Sequence, residues 1–103
     1  MIPRTVAYLP AAGRDLDDIL DYLEVEAGKA VAERYVLSFR SSIARLSEFP
    51  FVGAARPELG PAIRHWVVDP YLVLYDVDDT SVSILRIIHG KRRITPDSLK
   101  TST

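Results

Sequence analysis

Three strand-like runs crowded between Ile63 and Ile88 constrain this chain more than any other feature. Ile63–Val68, Tyr71–Val77 and residues 82–88 are rich in β-branched, aliphatic and aromatic side chains, the types that suit a pleated, half-buried surface. Asp69-Pro70 joins the first two runs, and Asp78-Asp79-Thr80-Ser81 joins the last two. Links this short leave no room for a crossover, so the neighbours must run antiparallel. The chain is committed to a three-stranded meander, which an N-terminal run at residues 5–9 can join.

The last strand organises the rest. By simple alternation Val82, Ile84, Arg86 and Ile88 share one face, and Ser83, Leu85, Ile87 and His89 share the other. Both faces are largely apolar, which predicts a central strand covered on two sides. Arg86 is the exception. A charge in such a run is costly unless it is paired, so Arg86 needs a carboxylate, a carbonyl or a cleft. The strand then empties through Gly90 into Lys91, Arg92 and Arg93.

Two helices precede the meander. From residue 11 to about 27, Leu16, Ile19, Leu20 and Leu23 fall at i, i+3, i+4 and i+7, one stripe of an amphipathic helix. Pro10 suits its entry and Gly28 its stop. Asp15, Asp17 and Asp18 read as a solvated face with modest help from the helix dipole. From about 29 to 49, Ala32, Tyr35, Val36, Phe39, Ile43 and Leu46 make a second stripe, ended by Pro50. The short break predicts a helical hairpin. Residues 51–62 hold Gly53, Pro57, Gly60 and Pro61 and read as an irregular loop.

The predicted fold is α+β, in the order β-α-α-β-β-β, with the helical hairpin packed on one face of a small antiparallel sheet. Tyr71-Leu72-Val73-Leu74-Tyr75 is apolar throughout, so the other face needs cover from the C-terminal tail or from another protein. At 103 residues the chain is one domain, with a flexible tail expected from about 94 to 103. There is no cysteine, and no apolar run long enough to span a membrane. A cytoplasmic location fits both. The net charge of −1 argues against coating nucleic acid, and no specific nucleic-acid binding is expected. Yet Arg86, Lys91, Arg92, Arg93 and Lys100 give the C-terminal end a local positive field.

Tests for chemistry leave little. There is no nucleophile elbow and no phosphate-binding glycine loop. His65 and His89 show no metal-ligand spacing and read as hydrogen-bonded structural histidines, so no metal and no cofactor are expected. The basic cluster Lys91-Arg92-Arg93 reads either as ordinary surface charge or as a phosphate- or acid-binding patch.

An ordered series of residues then carries a resemblance. Asp15-Leu16-Asp17-Asp18-Ile19 and Tyr22 lie in the first helix. Leu46, Pro50, Gly53, Arg56, Leu59 and Arg64 follow, then Tyr71-Leu72-Val73-Leu74-Tyr75, and finally Ile84-Leu85-Arg86-Ile87-Ile88-His89-Gly90 trailed by Arg92. The chain resembles the ParE toxins of bacterial type II toxin–antitoxin systems, within the RelE/ParE superfamily. The resemblance implies a small toxin held in a hetero-oligomer by a ParD-like antitoxin. ParE-type toxins poison DNA gyrase, whereas RelE-type relatives cleave mRNA in the ribosomal A site.

The ribonuclease branch uses an arginine at the start of the middle meander strand, a basic pair after the last strand, and a tyrosine in the tail. Leu72 stands at the first position, Lys91 and Arg92 match the pair, and the tyrosine position falls near Ser98, with no tyrosine after Tyr75. Two expected groups are therefore replaced, which favours gyrase as the target, reached through Lys91, Arg92 and Arg93. The ribonuclease alternative would rely on Arg86, His89 and Arg92. A third reading is a non-toxic binding module. Antitoxins of this class wrap an extended segment around the toxin and fold on it. Trp66, Tyr71 and Val73 are the expected apolar contacts for it, and Arg56, Arg64 and Arg86 the charged ones.

Overall fold

The meander forms as its short links require. The computed structural model of the chain describes residues 2–99. The elements in order are β1 (Thr5–Tyr8), α1 (Pro10–Ala27), α2 (Lys29–Glu48), β2 (Ala54–Ala55), β3 (Ile63–Val68), β4 (Tyr71–Val77), β5 (Ser81–His89) and a turn of 3-10 helix (Pro96–Leu99). The sheet runs β1-β5-β4-β3-β2. Within it β3, β4 and β5 are antiparallel neighbours. β1 lies parallel to β5, with Thr5 opposite Ser81 and Tyr8 opposite Ile84, so the sheet is mixed. A two-residue strand, β2, sits in the segment expected to be loop. It pairs Ala54 with His65 and Ala55 with Arg64.

Both helices pack on one face of this sheet. Pro10 opens α1 with its φ already helical. Gly28, at φ 96°, breaks the hairpin where a side chain would be strained, and α2 begins at once. Leu23 from α1 and Ala32, Phe39 and Leu46 from α2 meet Tyr71, Val73 and Tyr75 of β4 and Val82, Ile84 and Ile87 of β5 in the main core. Fully burying a side chain of this size contributes roughly 1.5–3 kcal/mol, so this face carries most of the stability.

The second face holds a smaller cluster of Leu59, Leu74 and Ile88, with Ile63, Ile94 and Leu99 packed against it. The chain's own loop and C-terminal segment therefore supply cover there. Thr95 N–H donates to Ser98 Oγ at 3.1 Å, and Leu99 lies on the cluster. The part of the expected tail at residues 100–103 lies outside the described residues.

Strict alternation along β5 fails at one point. Tyr75 pairs with Ile84 but Leu74 pairs with Arg86, so Leu85 is an extra residue without a partner on β4. Such a bulge shifts the parity of everything beyond it. Ile87 and His89 consequently face the helices with Val82 and Ile84, while Arg86 and Ile88 lie on the second face, opposite Leu74 and Leu72. Simple alternation had put Arg86 and Ile88 on the face of Val82 and Ile84, and the bulge corrects this.

The bulge coincides with a free edge. β1 ends at Tyr8, and the Leu9 N–H makes the last bond to Ile84 at 2.9 Å. Beyond it β5 has no strand on that side among the described residues, and α1 follows from Pro10. Asp15 fills the gap. Its Oδ2 accepts the Ile87 N–H at 2.9 Å. The same carboxylate takes Arg86 Nε at 2.6 Å and Nη2 at 3.0 Å, and Arg86 Nη1 donates to the Ser98 carbonyl at 2.7 Å. The arginine and carboxylate side chains are 18% and 17% exposed. Asp15 is thus a structural partner rather than part of a solvated face. The Asp15 carboxylate raises the Arg86 pKa above its ordinary value.

Asp15→Asn should weaken the pair and leave the Arg86 charge poorly compensated. The expected loss is about 3 kcal/mol in a urea melt, near the low end for broken buried pairs because this one is partly wet. Asp15→Leu combined with Arg86→Met should cost less than Asp15→Asn, since it removes both charges together.

Candidate functional site

Positive charge gathers at two opposite ends of the strands. One end carries the turn after β5. Gly90 N–H donates to the Pro70 carbonyl at 2.7 Å, and Arg92 N–H to the His89 carbonyl at 2.9 Å. Lys91 N–H donates to His89 Nδ1 at 3.1 Å. The turn is therefore tied to the link between β3 and β4 and to His89, whose ring packs edge-on against Tyr71 at 5.7 Å. Lys91, Arg92 and Arg93 project from it and are exposed. None of them forms an ion pair among the described residues.

The other end carries a cleft that sequence reasoning missed. It has a volume of about 720 Å³ and is lined by Arg4, Arg45, Phe49, Pro50, Phe51 and Val52, with Glu48 at its wall. Phe49 and Phe51 are 51% and 59% exposed, an unusual display for side chains of that size. Three guanidiniums stack on aromatic rings around it. Arg4 and Arg64 flank Phe51 at 5.4 and 5.2 Å, and Arg45 lies 5.6 Å from Phe49 and 5.8 Å from Trp66. The signal was present as the run Phe49-Pro50-Phe51-Val52 in a loop, apolar residues that no helix or strand stripe had claimed.

The loop that bears these rings is held from below. The Tyr75 hydroxyl, fully buried, donates to the Pro50 carbonyl at 2.8 Å and accepts the Gly53 N–H at 2.9 Å. Burial raises the Tyr75 pKa. Arg64 Nη1 donates to the Phe51 carbonyl at 3.1 Å and the Gly53 carbonyl at 2.6 Å. At Gly53 a Cβ would collide with the His65 carbonyl oxygen and the Tyr75 hydroxyl, so the close approach needs glycine. On the side of β1, Ser47 Oγ donates to the Arg4 carbonyl at 2.5 Å, and Arg4 Nε donates to the Asp78 carbonyl at 3.0 Å.

The residues expected to contact a partner divide. Arg64 stacks on Phe51 and Trp66 lies beside Arg45, so both adjoin the cleft without lining it, and Trp66 Nε1 donates to Ser42 Oγ at 3.0 Å. Tyr71 and Val73, at 6% and 2% exposure, belong to the core beneath the helices. Tyr71 nevertheless lines a surface cleft with Asp18, Tyr22, Tyr35 and His89. Arg86 is committed to Asp15 and Ser98. Arg56 pairs with Glu58 at 2.8 Å and approaches His65 Nδ1 at 3.3 Å. Arg86 and His89 fall on opposite faces of β5, so the trio Arg86, His89 and Arg92 does not converge on one point. Among the described residues there is no group of three side chains able to hold a metal, and no helix is long and apolar enough to cross a membrane.

Comparison with known proteins places this geometry. The sequence profile described as ParE toxin of type II toxin-antitoxin system, parDE, matches residues 6–94. Toxin ParE3 of Caulobacter vibrioides is 34% identical over 91 residues, covering 88% of this chain and 90% of that protein. A chain of the chromosomal ParDE toxin–antitoxin system from P. aeruginosa superposes with a TM-score of 0.72 at 25% identity, covering 86% of this chain and 98% of that one. A chain of the RelBE2 toxin–antitoxin complex from Mycobacterium tuberculosis superposes at 0.61 with 30% identity, covering 85% and 99%.

Two measurements check the geometry. Tyr75→Phe strips both the Pro50 carbonyl and the Gly53 N–H of their buried partner, so it should cost about 1–3 kcal/mol and speed amide exchange at Gly53. His65 offers a pH test. Burial first, then the nearby Arg56 guanidinium, hold its imidazole below the ordinary 6.5, with Glu58 opposing. As pH falls through 6.5 the unfolded chain takes up that proton before the folded one does. Stability should therefore drop faster below pH 6.5 in the wild type than in His65→Gln, read from urea melts at paired pH values.

Proposed function

The chain belongs to the ParE toxin family of type II toxin–antitoxin systems, and from that premise we propose that it inhibits growth by poisoning DNA gyrase through protein contact. It does so in the cytoplasm and is neutralised by a ParD-like antitoxin. One observation carries the reading. Lys91, Arg92 and Arg93 stand exposed on a turn whose backbone is tied to Pro70 and His89. Charges held this way are ready for an anionic surface such as a gyrase–DNA complex, with little ordering cost on binding. On this reading the toxin acts by contact alone, without chemistry of its own.

The likeness to a chain of the RelBE2 complex keeps a second reading alive, a ribosome-dependent mRNA endonuclease. Metal-free cleavage needs an acid, a base and phosphate stabilisation gathered at one phosphate. The division of Arg86 and His89 between two faces weighs against that reading.

In a supercoiling assay on relaxed plasmid, purified protein should inhibit gyrase and trap cleaved DNA. Added antitoxin should reverse the effect. Replacing Lys91, Arg92 and Arg93 together with alanine should abolish inhibition and toxicity while the melting curve stays unchanged. Full inhibition by that folded variant would reject the basic turn as the contact. No inhibition by the wild type, with His89-dependent mRNA cleavage in a translation reaction, would replace the gyrase reading with the ribonuclease one.

A further inference from the structure

The cleft at the end of α2 is left unused by the target contact proposed above. It lies at the opposite end of the strands from Lys91, Arg92 and Arg93. β5 from Val82 to His89 alone covers about 23 Å at roughly 3.3 Å per residue. Its rings are exposed, yet the loop beneath them is fixed by the Tyr75 hydroxyl and by Arg64. A surface held in place in this way gains more from docking than a mobile one, because less is ordered on binding.

Charge complementarity names the occupant. Among the described residues the ion pairs are Arg56 with Glu58 and Arg86 with Asp15. Arg4, Arg45 and Arg64 have no carboxylate there, although Glu48 lies on the same wall. Arg45 lies on the rings of Phe49 and Trp66, and among the described residues no hydrogen-bond acceptor holds its guanidinium. Three guanidiniums around an apolar floor suit a segment with carboxylates beside apolar anchors.

The surroundings favour polypeptide over single-stranded nucleic acid. β3 has β2 beside it at Arg64 and His65, and beyond His65 its outer edge has no strand next to it among the described residues. Val67 on that edge and Leu37 on α2 are exposed and continue the apolar surface past Trp66. An open strand edge offers main-chain hydrogen bonds that an extended peptide can take up.

We propose that the cleft formed by Phe49, Phe51 and Val52, ringed by Arg4, Arg45 and Arg64, docks an acidic amphipathic segment of the antitoxin. This deepens and rests on the reading of the chain as an antitoxin-bound toxin. The segment would lay its apolar side chains on Phe49 and Phe51 and its carboxylates on the arginines. It would leave Lys91, Arg92 and Arg93 uncovered at the far end.

The probes are labelled peptides of about 20 residues that alternate leucine faces with glutamates, or with glutamines in the control, and an oligothymidine. Fluorescence anisotropy measures their binding to the full chain. The glutamate peptide should bind saturably, and the glutamine peptide about tenfold more weakly. Phe51→Ser and Arg45→Ala, both at exposed positions, should each weaken the glutamate peptide about tenfold. Alanine at 91, 92 and 93 should leave it unchanged. Equal affinity in Phe51→Ser and Arg45→Ala would overturn the proposal. So would no saturable binding up to the millimolar range, or oligothymidine binding that depends on Phe51. Phe51→Ser should still inhibit gyrase, so loss of peptide binding with inhibition intact separates this site from the target contact. Failure of the wild type in the supercoiling assay, with peptide binding intact, would reject the gyrase reading and leave the cleft standing.

Discussion

The carboxylate of Asp15 resolves a conflict that no strand could resolve alone. Past Ile84, β5 loses its β1 neighbour, which leaves the Ile87 N–H facing a free edge. At the same place an arginine is embedded in an apolar run. Each problem is expensive by itself: an unpaired backbone donor costs as much as a lost hydrogen bond, and an unpaired charge costs more. Asp15 meets both with one side chain. Its bidentate grip on Arg86 also binds α1 to the edge of the sheet, and the remaining guanidinium nitrogen reaches Ser98. First helix, last strand and C-terminal segment converge on this ion pair.

The extra residue at Leu85 belongs to the same solution. It lets Ile87 join Ile84 and Val82 under the helices while Ile88 joins Leu74 on the second face. Without it Ile87 and Ile88 would exchange faces, and Arg86 would point under the helices. The bulge therefore decides both how the core closes and which side the arginine serves. It also separates Arg86 from His89, which bears on chemistry. A phosphate cannot be gripped by one and protonated by the other across a sheet.

The two cationic ends are built differently. The turn after β5 is an exposed display of point charges held by its backbone. The cleft after α2 is an apolar floor with guanidiniums lying on rings, where stacking and desolvation strengthen each charge–carboxylate contact. The first suits a large anionic surface that needs no fine register. The second suits a peptide segment whose side chains must fit. On the proposed reading, one surface meets the target and the other the antitoxin.

Much of this architecture was legible in the residues themselves. Short links between apolar runs dictate a meander, and stripes at helical spacing dictate a hairpin ending at Gly28 and Pro50, because these are local rules of reach and periodicity. The need of Arg86 for a partner was equally plain, since the cost of burying a charge does not depend on the fold. The identity of the partner was not. Asp15 stands 71 residues away from Arg86, and on its own helix it looks like any solvated carboxylate. Nor was the bulge visible, because alternation assumes an unbroken ladder and only pairing with β4 shows where it slips. Nor was the burial of Tyr71 and Val73 under the helices visible, because apolarity alone does not say which cover reaches a strand first. Phe49 looked like the last residue of a helix and Phe51 like a loop residue for the converse reason. Their exposure depends on Tyr75 and Arg64 holding the loop outward, contacts between distant segments that exist only once the sheet and α2 have met.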